Sequence, residues 1–230
     1  MFEQAPGAVD ASSPLSVKVA FLGALFRARE DVYAQRWENC RDGRSGWMPA
    51  VRAGRLKGIP ASERPYLPLT ENVVHDHLAG TIDLGLYPLL DGDSCCWLAA
   101  DFDGPAAMLD VLAYLKAARA AAVPAALEVS RSGLGAHVWI FFTAPVPAVT
   151  ARALGTGLLR EAIALRGRMD LRTYDRLFPS QDVVVNGGLG NLIAARCRAD
   201  VAAPTRPCSW TSPRSNRTRT SSRSCPASAG

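Results

Sequence analysis

Histidine and cysteine are scarce in this chain of 230 residues, with three of the first and six of the second. The cysteines stand at 40, 95, 96, 197, 208 and 225 without a CxxC pair, so their spacing argues for no zinc site. The adjacent Cys95 and Cys96 are poor disulfide partners, and the thiols are expected to be reduced and structural. No apolar run approaches the ~20 residues of a membrane span. The nearest thing to a signal segment is "VKVAFLGALF", but Arg27, Arg29, Glu30 and Asp31 follow it with no small-residue cleavage site. We therefore expect a cytoplasmic protein with no membrane partner.

Basic charge is scarcer than the net +5 suggests. Of 26 Lys and Arg and 21 Asp and Glu, seven Arg and one Asp lie in residues 195–230, leaving 19 bases against 20 acids in residues 1–194. Basicity belongs to the tail, so global charge says little about what the folded part binds.

What is present is a legible middle. "CCWLAA" reads as a buried strand, and Pro105 opens an alanine-rich helix. "VPAALEVS" is a second strand, "RSGLGA" a glycine loop, and "HVWIFF" a third strand of β-branched and aromatic residues. Pro147 opens another helix, and "DVVV" with "GNLIA" supplies a last strand or hairpin. The class is α/β (α+β), and the order β-α-β-β-α-β is the split arrangement of ferredoxin-like and RNA-recognition folds. Residues 1–16, rich in Ala, Ser and Pro, are expected to be disordered. Residues 17–194 form one domain with an N-terminal α/β extension. Within that extension "LGALFRARED" begins helically, and 41–70 reads as loops and short strands. "TENVVHDHLAG" is a short helix capped by Thr70 and stopped by Gly80, with His75 and His77 facing solvent.

Three segments carry residues capable of chemistry. In "AADFDG", Asp101 and Asp103 are two apart on a strand and share a face, with Phe102 turned away. Carboxylates that close repel unless a proton or cation compensates them. Mg²⁺ or Mn²⁺, which takes hard oxygen ligands, is the economical answer, although a lone DxD is more often a solvated strand end. In "SRSGLGAHVWIFF", Gly133 and Gly135 make a tight loop, with Ser132 before it and His137 opening the next strand. Backbone N–H groups there can cradle phosphate, or the loop is simply a turn. The split order makes strands one and three neighbours, so His137 can face the Asp pair. The third segment, "TYDRLFPSQDVVVNGGLGNLIA", offers Asp175, Gln181, Asp182 and Asn191. One more carboxylate from it would complete a two-metal site for in-line phosphoryl transfer.

Taken in order, "DFD", "SRSGLGAHVWIFF" and "YDRLFPSQD…GGLGNLIA" resemble the motifs of the archaeo-eukaryotic primase superfamily. The wording around them ("FRAREDVYAQRWEN", "RPYLPLT", "FPSQD", "GNLIA") is similar to the primase-polymerase domain of TOTE-type bacterial conflict systems, over about residues 25–194. The resemblance implies a template-directed nucleotidyltransferase acting on a DNA template or primer and nucleoside triphosphates. Asp101 and Asp103 would hold the metals, and His137 and Ser132 would contact the nucleotide phosphates. Asp175, followed by Gln181 and Gly188, is the preferred third acid, with Asp182 the alternative. Arg27 and Arg29 are candidates for template or phosphate contact. A helicase or nuclease region accompanies the domain in full-length relatives. Relatives also carry a cysteine-rich insert where this chain has "VRAGRLKGIPASERPYLPL", so a zinc knuckle is missing. Two other classes remain open: an inactive remnant that only binds nucleotide or single-stranded nucleic acid, and a DxD nuclease or glycosyltransferase.

After "GNLIA" the resemblance stops. Residues 195–230 are rich in Ser, Arg, Thr and Pro, show no periodicity and cannot build a core. One reading is a disordered basic tail that strengthens nucleic-acid binding. Read instead from the third base of each permitted codon, the tail can encode the Pro-Leu start, valine-rich strand and acidic segment expected of the family. A frameshift near Ala194–Ala195, leaving a truncated catalytic domain, is therefore the expectation.

Overall fold

The computed structural model describes residues 9–10, 12–52, 59–60, 63–129, 135–167, 174–185 and 188–195, and of Asp175 only the backbone. Helix α1 (Leu15–Leu25) begins inside the stretch expected to lack structure. Strands β1 (Ala34–Glu38) and β2 (Ser45–Pro49) pair antiparallel, followed by helix α2 (Glu71–Leu78) and strand β3 (Leu84–Leu86). Then come β4 (Ser94–Phe102), α3 (Ala107–Ala120), β5 (Ala126–Val129), β6 (Ala136–Pro147), α4 (Ala148–Arg166), β7 (Tyr174–Phe178) and β8 (Ile193–Ala194).

Two antiparallel sheets result, ordered β2-β1-β3-β8 and β5-β6-β4-β7. The second is built from the β-α-β-β-α-β run, and its first and third strands, β4 and β6, are central neighbours. The expected last strand needs correction. "YDRLF" supplies it as β7, whereas "DVVV" lies outside any strand, with Val183 and Val185 exposed. Its backbone is held elsewhere: Val184 N–H donates to Asp93 Oδ1 at 2.9 Å. The Ile and Ala of "GNLIA" instead form β8, which pairs with β3 at the edge of the first sheet.

β4 reads as a continuous apolar run because both its faces are covered. On one face Leu98, Ala100 and Phe102 pack against Val111 and Tyr114 of α3 and Leu158 of α4. Gly155 permits α4 to approach that closely, since a Cβ there would stand 2.9 Å from Leu98 Cδ2 and 3.0 Å from Leu177 Cδ1. Fully buried Asp110 of α3 pairs with Arg166 of α4 and ties the two helices together. On the other face Trp97 and Ala99 meet Trp139 and Phe178, together with Phe26 and with Leu84, Leu86 and Ile193 of the first sheet. Burying each Leu, Ile or Phe contributes about 1.5–3 kcal/mol, so this inter-sheet cluster fixes where the first sheet lies on the second.

α2 begins and ends where its sequence reading put it, with Gly80 at φ 78° just beyond; Thr70 occupies the N-cap position in extended conformation, but its side chain makes no capping hydrogen bond. His77 does not. His75 is exposed, but His77 is buried, because it shares the helix's inner face with Val74 and Leu78. Its Nδ1 lies 3.3 Å from the Ile82 carbonyl.

Candidate active site at the end of the central strands

Alternation along β4 turns Trp97, Ala99 and Asp101 toward the face away from α3 and α4. Register does the rest. Across the sheet Glu128 of β5 pairs with His137 of β6, His137 with Asp101 of β4, and Asp101 with Arg176 of β7. One polar rung therefore crosses all four strands. The next rung on the same face, Ala126–Trp139–Ala99–Phe178, is apolar. Phe26 caps that floor, edge-on to Trp139 at 4.9 Å and to Phe141 at 5.2 Å.

His137 is 2% exposed and lies between two carboxylates. Its Nε2 is 3.2 Å from Asp101 Oδ1, and its Nδ1 is 3.1 Å from Glu128 Oε2. The same Glu128 oxygen accepts the Trp139 indole N–H at 2.9 Å. Burial alone pushes an imidazole pKa down, but hydrogen bonds and charge from Asp101 and Glu128 outweigh it, and the ring is pushed up to about 9. The Nδ1 contact to Glu128 has hydrogen-bond geometry, whereas the Nε2–Asp101 contact is an ion-pair approach that leaves Asp101 Oδ1 without a hydrogen-bond partner.

Asp103 follows at the exposed tip beyond β4. Gly135, expected to bind phosphate, packs directly on it. A Cβ at position 135 would overlap Asp103 Oδ1 and lie 2.8 Å from the Phe102 carbonyl oxygen. Glycine is required here by close approach, which lets β6 enter the sheet beside the Asp pair.

The other expected site residues are distributed unevenly. Ser132 and Gly133 lie outside the described residues, as does the side chain of Asp175. The Asp175 backbone is on β7 between Tyr174, paired with Phe102, and Arg176, paired with Asp101, where the register shifts. That puts it beside the Asp pair. Asp182 is not brought there. Its carboxylate pairs with Arg152 of α4 at 2.7 Å, two residues from the Val184 bond to Asp93. Asp93 precedes β4 and stands about 25 Å from Asp101 at ~3.3 Å per strand residue. Gln181 turns back on its own loop, its Nε2 donating to the Val183 carbonyl at 2.9 Å.

The two arginines are engaged in the fold away from Asp101. The Arg27 carbonyl accepts the Trp97 indole N–H at 2.9 Å, pinning the chain after α1 onto the site sheet. Arg29 grips Asp31 through two nitrogens, at 2.8 and 2.5 Å, and reaches the Gly188 carbonyl at 3.2 Å. Its guanidinium thereby joins "FRARED" to the chain at Gly188.

Sequence reasoning missed Glu128, Trp139 and Arg176. Glu128 had a signal: in "AALEVS" it shares a strand face with Ala126, and an acid on a face expected to be covered needs a donor. Trp139 was hidden among the aromatics of β6, and Arg176 gains meaning only from its register.

Among the described residues no group of three or more His, Cys, Asp or Glu is arranged to hold a metal ion, and no helix is long and apolar enough to cross a membrane. Cys95 and Cys96 are buried free thiols, and Cys40 is exposed.

A mixed α/β fold of two antiparallel sheets, with a carboxylate–histidine rung at the end of its central strands, defines the class. The model of the archaeo-eukaryotic primase domain of TOTE conflict systems matches residues 17–199, and the chain belongs to that family. A solved structure, the polymerase domain from Mycobacterium tuberculosis Ligase D in complex with DNA, is similar at 14% identity and TM-score 0.49, covering 85% of this chain and 80% of that one. No curated protein matches.

Proposed function

We propose that the domain is a template-directed nucleotidyltransferase that extends or primes DNA with nucleoside triphosphates, as its family membership supports. The observation that carries this reading is the register that sets Asp101 against His137 on adjacent central strands, with the Asp175 backbone next to it on β7.

The donors near Asp101 suit a hard divalent cation: two carboxylates two residues apart, one partly buried beside an imidazole and one exposed. Asp101, Asp103 and Asp175 would hold Mg²⁺ or Mn²⁺. Bound there, the ions would supply Lewis-acid activation of a primer 3′-hydroxyl and neutralise phosphate charge. His137 holds the Asp101 carboxylate in place, and a nucleotide phosphate reaching Nε2 would meet a cationic donor. Ser132 and Gly133, in the segment joining the strands of Glu128 and His137, are the remaining phosphate candidates. Arg27 and Arg29 act first through the fold. We assign them to shaping the site, with template contact secondary. The dry aromatic floor keeps water from the buried side of the Asp101 carboxylate.

For the tail we propose the frameshift near Ala194–Ala195. Genomic sequencing through codon 194 tests it, and an intact frame would end the idea. The functional test is templated incorporation with Mg²⁺ or Mn²⁺, using this chain, a frame-restored version and an Asp101→Ala control. Incorporation lost only in the control supports a complete site within residues 1–194. Incorporation by the restored version alone means that the tail cripples the domain, and silence from both would leave a nucleotide-binding remnant.

A further inference from the structure

We propose that Glu128 is the positioning residue for His137, fixing the ring's orientation so that Nε2 is presented to Asp101 and to whatever shares that carboxylate. The proposal rests on the nucleotidyltransferase reading and adds to it a residue outside the three motifs. A histidine ring can flip about its bond to Cβ, and a partner on the second nitrogen selects which nitrogen faces Asp101. Here that partner is a carboxylate 3.1 Å from Nδ1, on the neighbouring strand and in direct register.

The carboxylate is itself immobilised. Glu128 Oε2 accepts from His137 and, at 2.9 Å, from the indole N–H of Trp139, which lies one rung further along the same strand. Trp139 is fully buried between Trp97, at 5.2 Å, and Phe26, at 4.9 Å. The His137 ring stands edge-on to the same indole at 5.6 Å. Core packing therefore fixes Trp139, Trp139 fixes Glu128, and Glu128 fixes His137. Partners of this kind, behind the groups that contact substrate or ion, typically matter by about 10–100-fold.

Both bonds end on one oxygen, and that fact designs the test. Glu128→Gln keeps an acceptor oxygen for both donors and removes the charge; Glu128→Leu removes the acceptor at similar size. Incorporation kinetics of the full chain, or of the frame-restored chain if that is the active form, would be measured beside the metal-free ¹H–¹⁵N spectrum of His137. Glu128→Leu is expected to lower kcat about 10–100-fold, to leave the nucleotide KM within about twofold, and to erase the hydrogen-bonded Nδ1–H resonance. Glu128→Gln is expected to retain that resonance and most of kcat. Wild-type kcat or an unaltered resonance in Glu128→Leu overturns the proposal, and so does a Gln variant as impaired as the Leu variant. If Glu128→Leu does not fold, Trp139→Phe replaces it: a broadened His137 resonance supports the proposal and an unchanged one overturns it. If no form incorporates nucleotide, the enzymatic reading fails, while the spectra still decide whether Glu128 orients His137.

Discussion

Gly135→Ala adds one methyl group where the structure has no room for it. The new Cβ would overlap Asp103 Oδ1, stand 2.8 Å from the Phe102 carbonyl oxygen and 3.2 Å from Asp103 Cγ. These obstacles are unequal. The Phe102 carbonyl belongs to a central strand whose side chain is fully buried, so it cannot retreat without disturbing the α3–α4 core. The Asp103 carboxylate is exposed and can swing, so it gives way, by about 1 Å or more if ordinary contact is to be restored. Overpacking of this kind costs about 1–3 kcal/mol. At ~2–4 °C per kcal/mol for a chain of this size, Tm falls by about 2–12 °C. The functional loss is larger, because misplacing a reacting group by ~1 Å costs about a hundredfold in rate. Calorimetry and templated incorporation on the same preparation would test both. A matched control is Gly157→Ala on the exposed face of α4, where nothing lies within 4 Å of the added Cβ. That change should stabilise the fold by about 0.5–1 kcal/mol and leave incorporation alone. A Gly135→Ala protein with wild-type Tm and rate would refute the reasoning.

Asp175→Asn should abolish incorporation, whereas Asp182→Asn, which breaks only a partly exposed pair with Arg152, should leave the rate unchanged and cost at most about 1 kcal/mol by denaturant titration. Asp110→Ala strands the Arg166 guanidinium between the helices and should cost about 3–5 kcal/mol in the same assay. Burial pushes the Cys95 thiol up to about 12, so alkylation mapped by mass spectrometry at pH 8 should label exposed Cys40 and spare Cys95 until denaturant is added. The Arg29 hydrogen bond holds the Asp31 carboxyl below its ordinary range against the opposing effect of burial. A carboxyl lowered in the folded state adds stability that is present above its unfolded pKa and lost as pH falls through the folded one. Acid unfolding of Asp31→Asn should therefore be less steep on its low-pH limb.

The middle of the fold was legible because its signals are local. Strand alternation, the length of "CCWLAADF" and the helix after Pro105 all depend on near neighbours, and the adjacency of β4 and β6 follows from the split order. The end of the fold was not. "DVVV" has the composition of a strand, but its Val184 N–H goes to the Asp93 side chain and its Val183 carbonyl to Gln181, and "YDRLF" takes the edge of the sheet. Nothing within a few residues of Val183 encodes that exchange. His77 was misread for a related reason, since its helix is short and its inner face is defined by α1, which lies far away in sequence. At the site, motif spacing found Asp101, Asp103 and His137. Glu128 required the register, because an acid in a strand becomes a partner only when a donor is known to stand opposite it.

Register also explains why the site is coupled to the core. A slip of β6 by one residue against β4 would turn His137 to the helix face and bring Ala136 or Val138 to Asp101. What prevents the slip is the apolar part of the same ladder: Trp139 against Ala99 and Phe141 against Trp97, where Trp139, Ala99 and Trp97 are fully buried. A slip would drive Trp139 and Phe141 of β6 out of the inter-sheet cluster, at roughly 1.5–3 kcal/mol or more for each large side chain exposed. Large residues on that floor need small ones opposite. Ala99 lies between Trp139 and Phe178, so any larger residue there would press on the strands that carry His137 and Arg176. The Asp101–His137 geometry is therefore set by packing one and two rungs away, and a substitution at Ala99 would act on the site without touching it.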